Sequence, residues 1–261
     1  MKMKGFFLVI VLSFAGLLIL NNCVRKQKEK KAEEEVTVAL KGQKNGGHYN
    51  VLTSEEQKEG WRLLFNGKDL SGWKGYNMDT VPDNWGVEDE CMVCLGKGSD
   101  RHGDIITIDE FGDFDLKLEW KVSPGGNSGI FYRVVEDPKY ATPYATGPEY
   151  QLIDQLGWKG ELKDWQTTGA NYAMDPPANA KIKPALEWNT AEIVARGAHI
   201  IHYLNGTKVV EYDLWTDEWK EKVKNCKWKD HPAYGLARKG HIGLQDHGSK
   251  IWFRNIRIKK L

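Results

Sequence analysis

Glu149, Gln151 and Asp154 fall within one short stretch, Glu149-Tyr150-Gln151-Leu152-Ile153-Asp154. The stretch reads as a β-strand. Side chains alternate across a strand with period two, so Glu149 and Gln151 share a face. Asp154 is out of phase by one residue, and a one-residue β-bulge, a feature common beside active sites, would bring it back. Carboxylate, amide and carboxylate would then line one cleft, a set suited to acid–base work on a sugar. His247 is the first candidate for a further base or metal ligand. It follows Asp246 in a tight turn, and an ordinary imidazole titrates near roughly 6.5. Gln245 shares its parity and would face the same cleft. Arg133 shares parity with Phe131, opposite Ile130, Tyr132 and Val134, which would aim a guanidinium fork at substrate oxygen or at Glu149. Asn127 and Ser128, in a glycine-rich loop, could bind hydroxyls or simply serve the turn. Trp73, Trp158 and Trp165 are the aromatics expected to reach a ligand, whereas Trp61, Trp85 and Trp252 are expected in the core. Tyr172 is a weaker candidate proton donor at the rim.

The elements that must position these groups are mostly strands. Phe114-Leu116-Leu118-Trp120 alternate with Asp115-Lys117-Glu119-Lys121, a half-buried strand. Strands are expected at Trp85–Leu95, Ile130–Val135 and Ala191–Ala195. Ile200–Leu204 and Lys208–Tyr212 flank Asn205-Gly206, a hairpin signal because both turn residues tolerate positive φ. Gly240–Gln245 and Lys250–Ile258 are expected to pair around Asp246-His247-Gly248-Ser249. Only residues 215–226 read as helix, with Thr216 as N-cap. Asp175-Pro176-Pro177 opens a loop reaching Pro184. Short strands with frequent turns predict an all-β sandwich or jelly roll with one short helix.

The chain divides into three. Two lysines precede an apolar run of about fifteen residues, short of the roughly 20 needed to span a bilayer. Residues 1–22 therefore read as a signal peptide. Leu20-Asn21-Asn22-Cys23 is similar to a bacterial lipobox, with Asn22 where a small residue is usual, which makes Cys23 the expected lipidation site. Residues 23–53 are charged and poor in apolar side chains, as in a solvated tether, with a helix possible over Glu29–Val38. Residues 54–261 are enough for one domain with its own core. Val24-Arg25-Lys26 lacks an acidic run after the cysteine, which favours the periplasmic side over the cell surface. A formal net charge of +1 gives no electrostatic case for nucleic acid. Eleven of 261 residues are Trp, which serve equally as core anchors and as sugar platforms. Cys91 and Cys94 stand three apart on a strand, which points them to opposite faces and disfavours zinc or redox use.

Several segments together carry a family resemblance. They are Gly60–Trp73 (GWRLLFNGKDLSGW), Gly126–Arg133 (GNSGIFYR), Glu149–Asp154, Trp188-Asn189 and Gly240–Ile258 (GHIGLQDHGSKIWFRNIRI). Over residues 59–261 the chain resembles the domain of unknown function 1080, also called the 3-keto-disaccharide hydrolase domain. The resemblance implies a concanavalin A-like jelly roll related to laminarinase-type glucanases, and cleavage of glycosides oxidised to a ketone at C3. Laminarinase-type enzymes carry Glu-x-Asp-x-x-Glu on a bulged strand. Here that spacing reads Glu149-x-Gln151-x-x-Asp154, an amide replacing the middle acid, which puts the ordinary two-carboxylate reaction in question.

A 3-keto sugar offers another route. The ketone acidifies the C2 proton, so a base can remove it and the C1 substituent can leave, with water adding later. The expected catalytic residues are Glu149, Asp154 and His247, with Arg133, Gln151, Gln245, Asn127 and Trp73 binding substrate. Glu149, Asp154 and His247 are also the candidates for holding a divalent metal. No organic cofactor is implied, and the expected partner is an oligosaccharide or glycoside. A conventional glycosidase and a non-catalytic sugar-binding module remain alternatives, because fold does not fix function.

Overall fold

The computed structural model describes residues 49–96 and 103–261. The signal peptide, Cys23, the possible helix over Glu29–Val38 and most of the tether lie outside the described residues. The compact unit runs from Tyr49 to Leu261. It begins ahead of the expected Ser54, because Asn50 is buried and its amide N–H donates to Asn255 Oδ1 at 2.7 Å.

Two antiparallel sheets form the expected jelly-roll sandwich. Helix α1 is Ser54–Lys58 and α2 is Asp217–Lys224. The strands are β1 (Trp61–Leu63), β2 (Trp73–Gly75), β3 (Trp85–Glu88), β4 (Cys91–Leu95), β5 (Ile105–Phe111), β6 (Phe114–Val122) and β7 (Asn127–Val134). They continue with β8 (Glu149–Ile153), β9 (Asn189–Arg196), β10 (His199–Leu204), β11 (Thr207–Asp213), β12 (Gly240–Leu244) and β13 (Lys250–Lys260). The larger sheet runs β11-β10-β9-β6-β13-β4-β3, with β1 also on β13; the smaller runs β2-β5-β12-β7-β8. Thr216 Oγ1 accepts from Trp219 N and so caps α2, as its sequence position predicts.

Two local expectations need correction. The span 85–95 is a hairpin, turned where Asp89 and Glu90 both take positive φ. β12 and β13 do not pair; β12 lies in the smaller sheet and β13 in the larger. The 245–249 turn therefore crosses between sheets, which places His247 at an edge of the sandwich.

The core fills the space between sheets. Leu116, Leu118 and Trp120 of β6 meet Ile130 and Tyr132 of β7 and Tyr150 and Leu152 of β8, all nearly inaccessible. Each such aliphatic side chain contributes about 1.5–3 kcal/mol on burial. All three strands thus give one parity to the core and leave the other outward. Cys94 joins the core, Cys91 is buried outside it, and Cys226 is half-buried; all three are free thiols.

His202 is part of that core, not a ligand. Its Nδ1 donates to Gly169 O at 3.0 Å, so in the neutral ring Nε2 accepts from Tyr132 OH, itself bonded to Tyr212 OH. Burial lowers its pKa to about 4. Between that value and the unfolded one, near roughly 6.5, only the unfolded chain takes up the proton. The neutral ring's contribution is therefore complete above the unfolded value and lost as pH falls toward 4. The buried carboxyls described below act in the opposite sense, so the comparison must be with a variant. The stability advantage of wild type over His202→Leu should shrink by up to about 3 kcal/mol between pH 7 and pH 4. Urea melts at both pH values measure it; an unchanged difference would refute the neutral, buried assignment.

Candidate functional site

A polar cavity of about 490 Å³ opens on the outer face of the smaller sheet. Its lining includes Glu149 and Gln151 from β8, Asn127 from β7, Gln245, Asp246 and His247 from the crossing turn, and Asp104 just before β5. Tyr144, Tyr172 and Lys227 close it from connecting segments.

Glu149 is at its heart. It is 3 % exposed and its carboxylate receives no hydrogen bond from any described residue. It lies over Gly129, where a Cβ would stand 2.9 Å from its Cγ and collide with Oε1. Burial, opposed by the Lys227 charge and reinforced by Asp104, pushes its carboxyl up to about 8. Among the described residues Lys227 carries no ion pair. Its Nζ sits 4.2 Å from the ring centroid of Tyr172 and 4.3 Å from that of Trp228, a cation held by aromatic faces. Burial lowers its pKa, against the pull of Glu149.

The smaller sheet does not end at β8 as an open edge. Gln151 N donates to Ala170 O, Gly169 N to Gln151 O, and Tyr172 N to Glu149 O. This segment brings Tyr172 to the cavity, and Trp228 Nε1 donates to Tyr172 O at 3.0 Å, which brings its neighbour Lys227.

On the opposite wall, Asp104 is buried and its Oδ1 accepts from Asp246 N at 2.8 Å. Burial, with the charge of Asp246, raises it to about 7. Asp246 accepts from Asn84 Nδ2 at 2.8 Å and from Gly248 N at 2.9 Å, and takes a weaker contact from the Cys94 thiol. That fixes the turn carrying His247, which is exposed at the rim with no hydrogen-bond partner among the described residues. Gln245 is 9 % exposed, with Oε1 unpartnered.

Glu149, Gln151, Asn127, Gln245 and His247 are thus brought together as expected, with Tyr172. Ser128 is not; its hydroxyl donates to Gln245 O inside the sheet. Asp154 is a correction. The β7–β8 pairing runs without a shift from Asn127↔Ile153 to Phe131↔Glu149, so β8 has no bulge. Asp154 lies past the strand end, where its two carboxylate oxygens accept from Gly125 N and Gly157 N and brace adjoining turns.

Arg133 is the second correction. It takes φ 53°, and the β7–β12 register slips there, so that Phe131 and Val134 share a face three residues apart. β7 therefore carries a bulge of its own, against β12 and not against β8. It turns the Arg133 guanidinium away from the cavity to donate to Gly112 O, Gly197 O and Asp113 Oδ1, tying together two turns. Trp73 is buried, its Nε1 bonded to Leu64 O, and binds nothing in the cavity. Trp158 lines a separate hollow and Trp165 packs edge-on against Tyr172. Trp252, expected in the core, is half-buried between Lys121 and Lys250. His241 Nδ1 donates to Thr107 O and does not line the cavity, and His199 is exposed between Asp213 and Glu211.

The proposed metal set does not assemble either. Asp154 is turned away, and among the described residues no three His, Cys, Asp or Glu side chains converge on a common point. Beside Asp246, read from sequence only as part of the turn, three lining residues were missed by sequence reasoning. Asp104 resembles any loop carboxylate, and Tyr144 and Lys227 come from irregular segments with no periodicity to read. The aromatic neighbour Trp228 was the only local hint of Lys227.

A family model described as a 3-keto-alpha-glucoside-1,2-lyase-like domain matches residues 60–259. A 3-keto-disaccharide hydrolase from Bacteroides thetaiotaomicron is 33 % identical, with 99 % of each chain covered. A Parabacteroides distasonis protein assigned provisionally as a glycosyl hydrolase is 42 % identical, covering 82 % of this chain and 100 % of its own, with TM-score 0.76. A second from the same species is 31 % identical, covering 77 % and 99 %, with TM-score 0.60.

The ionisation pattern is directly measurable. In carbon-13-labelled protein the Glu149 carboxyl should titrate near 8. Lys227→Met removes the nearby cation and should move it higher. A Glu149 titration near the ordinary value, roughly 4.3, would exclude the arrangement described.

Proposed function

The chain belongs to the 3-keto-alpha-glucoside-1,2-lyase-like family, and from that premise we propose that it cleaves glycosides bearing a ketone at C3. Its named relatives make it a glycoside-cleaving protein, and the finer reading rests on one observation: a buried carboxyl that no described residue hydrogen-bonds, with an aromatic-held lysine lining the same polar cavity. A group of that kind suits proton transfer near neutral pH. An ordinary carboxylate is too weak a base for a carbon acid, and desolvation strengthens it.

The steps follow from the chemistry. Glu149 as carboxylate takes the C2 proton. The electron pair moves into the C2–C3 bond and charge grows on the ketone oxygen, which the Lys227 ammonium stabilises. The enolate then expels the C1 substituent, whose oxygen takes a proton from His247 at the open rim. Water adding across the resulting enone completes hydrolysis; its release without water makes the reaction a lyase. Atoms and charge balance without an external oxidant.

A second reading has its own observation. Asp104, another buried carboxyl with a raised pKa, lines the same cavity. A pair of carboxyls is the requirement for conventional glycoside hydrolysis. The two readings differ in substrate and in isotope. Elimination requires the ketone and exchanges C2 hydrogen with solvent; the conventional route cleaves the unoxidised parent and leaves C2 intact.

We further propose export and lipid anchoring through Cys23, on the N-terminal pattern alone. Cys23→Ala should move the protein from the membrane to the soluble fraction of its cells; unchanged fractionation would reject it.

On a 3-keto-glucoside, kcat/KM should follow a bell in pH, its rising limb set by ionisation of Glu149 and its falling limb by loss of the proton on the donor to the leaving oxygen and of the Lys227 ammonium. Glu149→Gln should lose at least about 10²-fold with the fold intact by circular dichroism. Cleavage of the parent glycoside alone, with no deuterium entering C2, would overturn the elimination reading.

A further inference from the structure

Two side-chain amides in the cavity have their orientations fixed by hydrogen bonds. Gln151 is 2 % exposed. Its Nε2 donates to Gln166 O and to Asn127 Oδ1, each at 3.3 Å. Because the Gln166 partner is a carbonyl, the amide cannot be flipped without setting oxygen against oxygen. Gln151 Oε1 is therefore the atom left over, and it is buried with no partner. The same bond orients Asn127: its oxygen is engaged, so its Nδ2 is the free group, and that residue also lines the cavity.

A buried acceptor without a donor is costly, commonly by a factor of about 10 to 100 in an equilibrium, until a ligand supplies one. Beside it stands a free donor. An acceptor and a donor side by side match one chemical group better than any other abundant in sugars, a hydroxyl, which both donates and accepts. A ketone oxygen offers no proton to Gln151 Oε1 and is refused there. The ketone is correspondingly left to the donor side of the cavity, at Lys227.

Position along the strand narrows the hydroxyl. Gln151 is two residues from Glu149 on the same face, roughly 7 Å away along β8. That is about the reach across a pyranose ring from C2. We propose that Gln151 and Asn127 form a subsite that reads a free hydroxyl on the far side of the substrate ring, at C4 or C6. The subsite rests on the sugar reading above and makes substrate selection a property of these two amides, separate from the reacting groups. A substrate deoxygenated at the hydroxyl they read would leave Gln151 Oε1 orphaned.

The test compares a 3-keto-glucoside with its 4-deoxy and 6-deoxy counterparts. Wild type should lose about 10- to 100-fold in kcat/KM on one of the two. Two variants address the amides. Asn127→Asp keeps the acceptor for Gln151 and removes the free donor; Gln151→Met keeps the volume and removes the acceptor. Both should act poorly on the hydroxylated substrate and discriminate less than about threefold between it and the deoxy analogue. Binding of the same three sugars to Glu149→Gln, followed by calorimetry, separates the subsite from the reaction. Selective binding of the hydroxylated sugars supports the subsite even if wild type turns none of them over, in which case the proposed reaction alone fails. Equal binding of all three, or full discrimination retained by both variants, overturns the subsite.

Discussion

The site depends on the unshifted pairing of β7 with β8. Along β8, Tyr150 and Leu152 enter the core while Glu149 and Gln151 face outward. A slip of one residue would exchange these sets, burying a carboxyl and an amide between the sheets and exposing two large apolar groups. The penalty for that exchange, several side chains at once, pins the register. Pinned in this way, β8 carries its neighbours into place. Its outer edge bonds the 169–172 segment, that segment presents Tyr172, Tyr172 O anchors Trp228, and Trp228 holds the adjoining Lys227 against the cavity. A single strand register thus locates groups separated by more than a third of the domain.

Holding Glu149 there is unfavourable in isolation. A buried carboxylate with no hydrogen bond favours its neutral form, and Gly129 beneath it offers only space. Lys227 offsets part of the cost, yet it too is partly desolvated and rests on rings instead of an ion pair. Neither group is as stable as the fold could have made it. A bidentate contact would have fixed both charges and returned Glu149 to the ordinary carboxylate range. Burial without a partner holds the Glu149 carboxyl above the ordinary carboxylate range, at the expense of stability that the core between the sheets supplies.

What was legible in the sequence was whatever followed strand parity. Glu149, Gln151 and Asn127 were found because β7 and β8 are regular where those residues lie. Asp154 and Arg133 were misplaced for one shared reason. β8 runs in step with β7 and has no bulge, while β7 carries one against β12, and sequence alternation does not reveal where an extra residue enters a ladder. Arg133 adopts a left-handed backbone conformation that no glycine or asparagine announced. Trp73 failed for another reason: an indole serves a core and a sugar platform equally well, and only the path of β2 decides. Asp104 and Lys227 stayed invisible because their approach depends on chain closure between distant segments. The sheet crossing at 245–249 was likewise hidden, although the residues on it were correctly placed at the cavity.

Gln151 makes sense only in this setting. As a carboxylate it would sit roughly 7 Å from Glu149 on a dry face, and the two like charges would raise Glu149 still further. It would also confront the Gln166 carbonyl and Asn127 Oδ1 with a third oxygen, losing both bonds that now hold it. As an amide it donates twice toward the protein and leaves its oxygen without a partner. The middle position of the strand is therefore better understood as a neutral positioning group than as an acid that has been lost. With that position neutral, the outward face of β8 carries one ionisable side chain, Glu149. Its partner in charge must come from elsewhere in the fold, and Lys227 is the cation that lines the cavity.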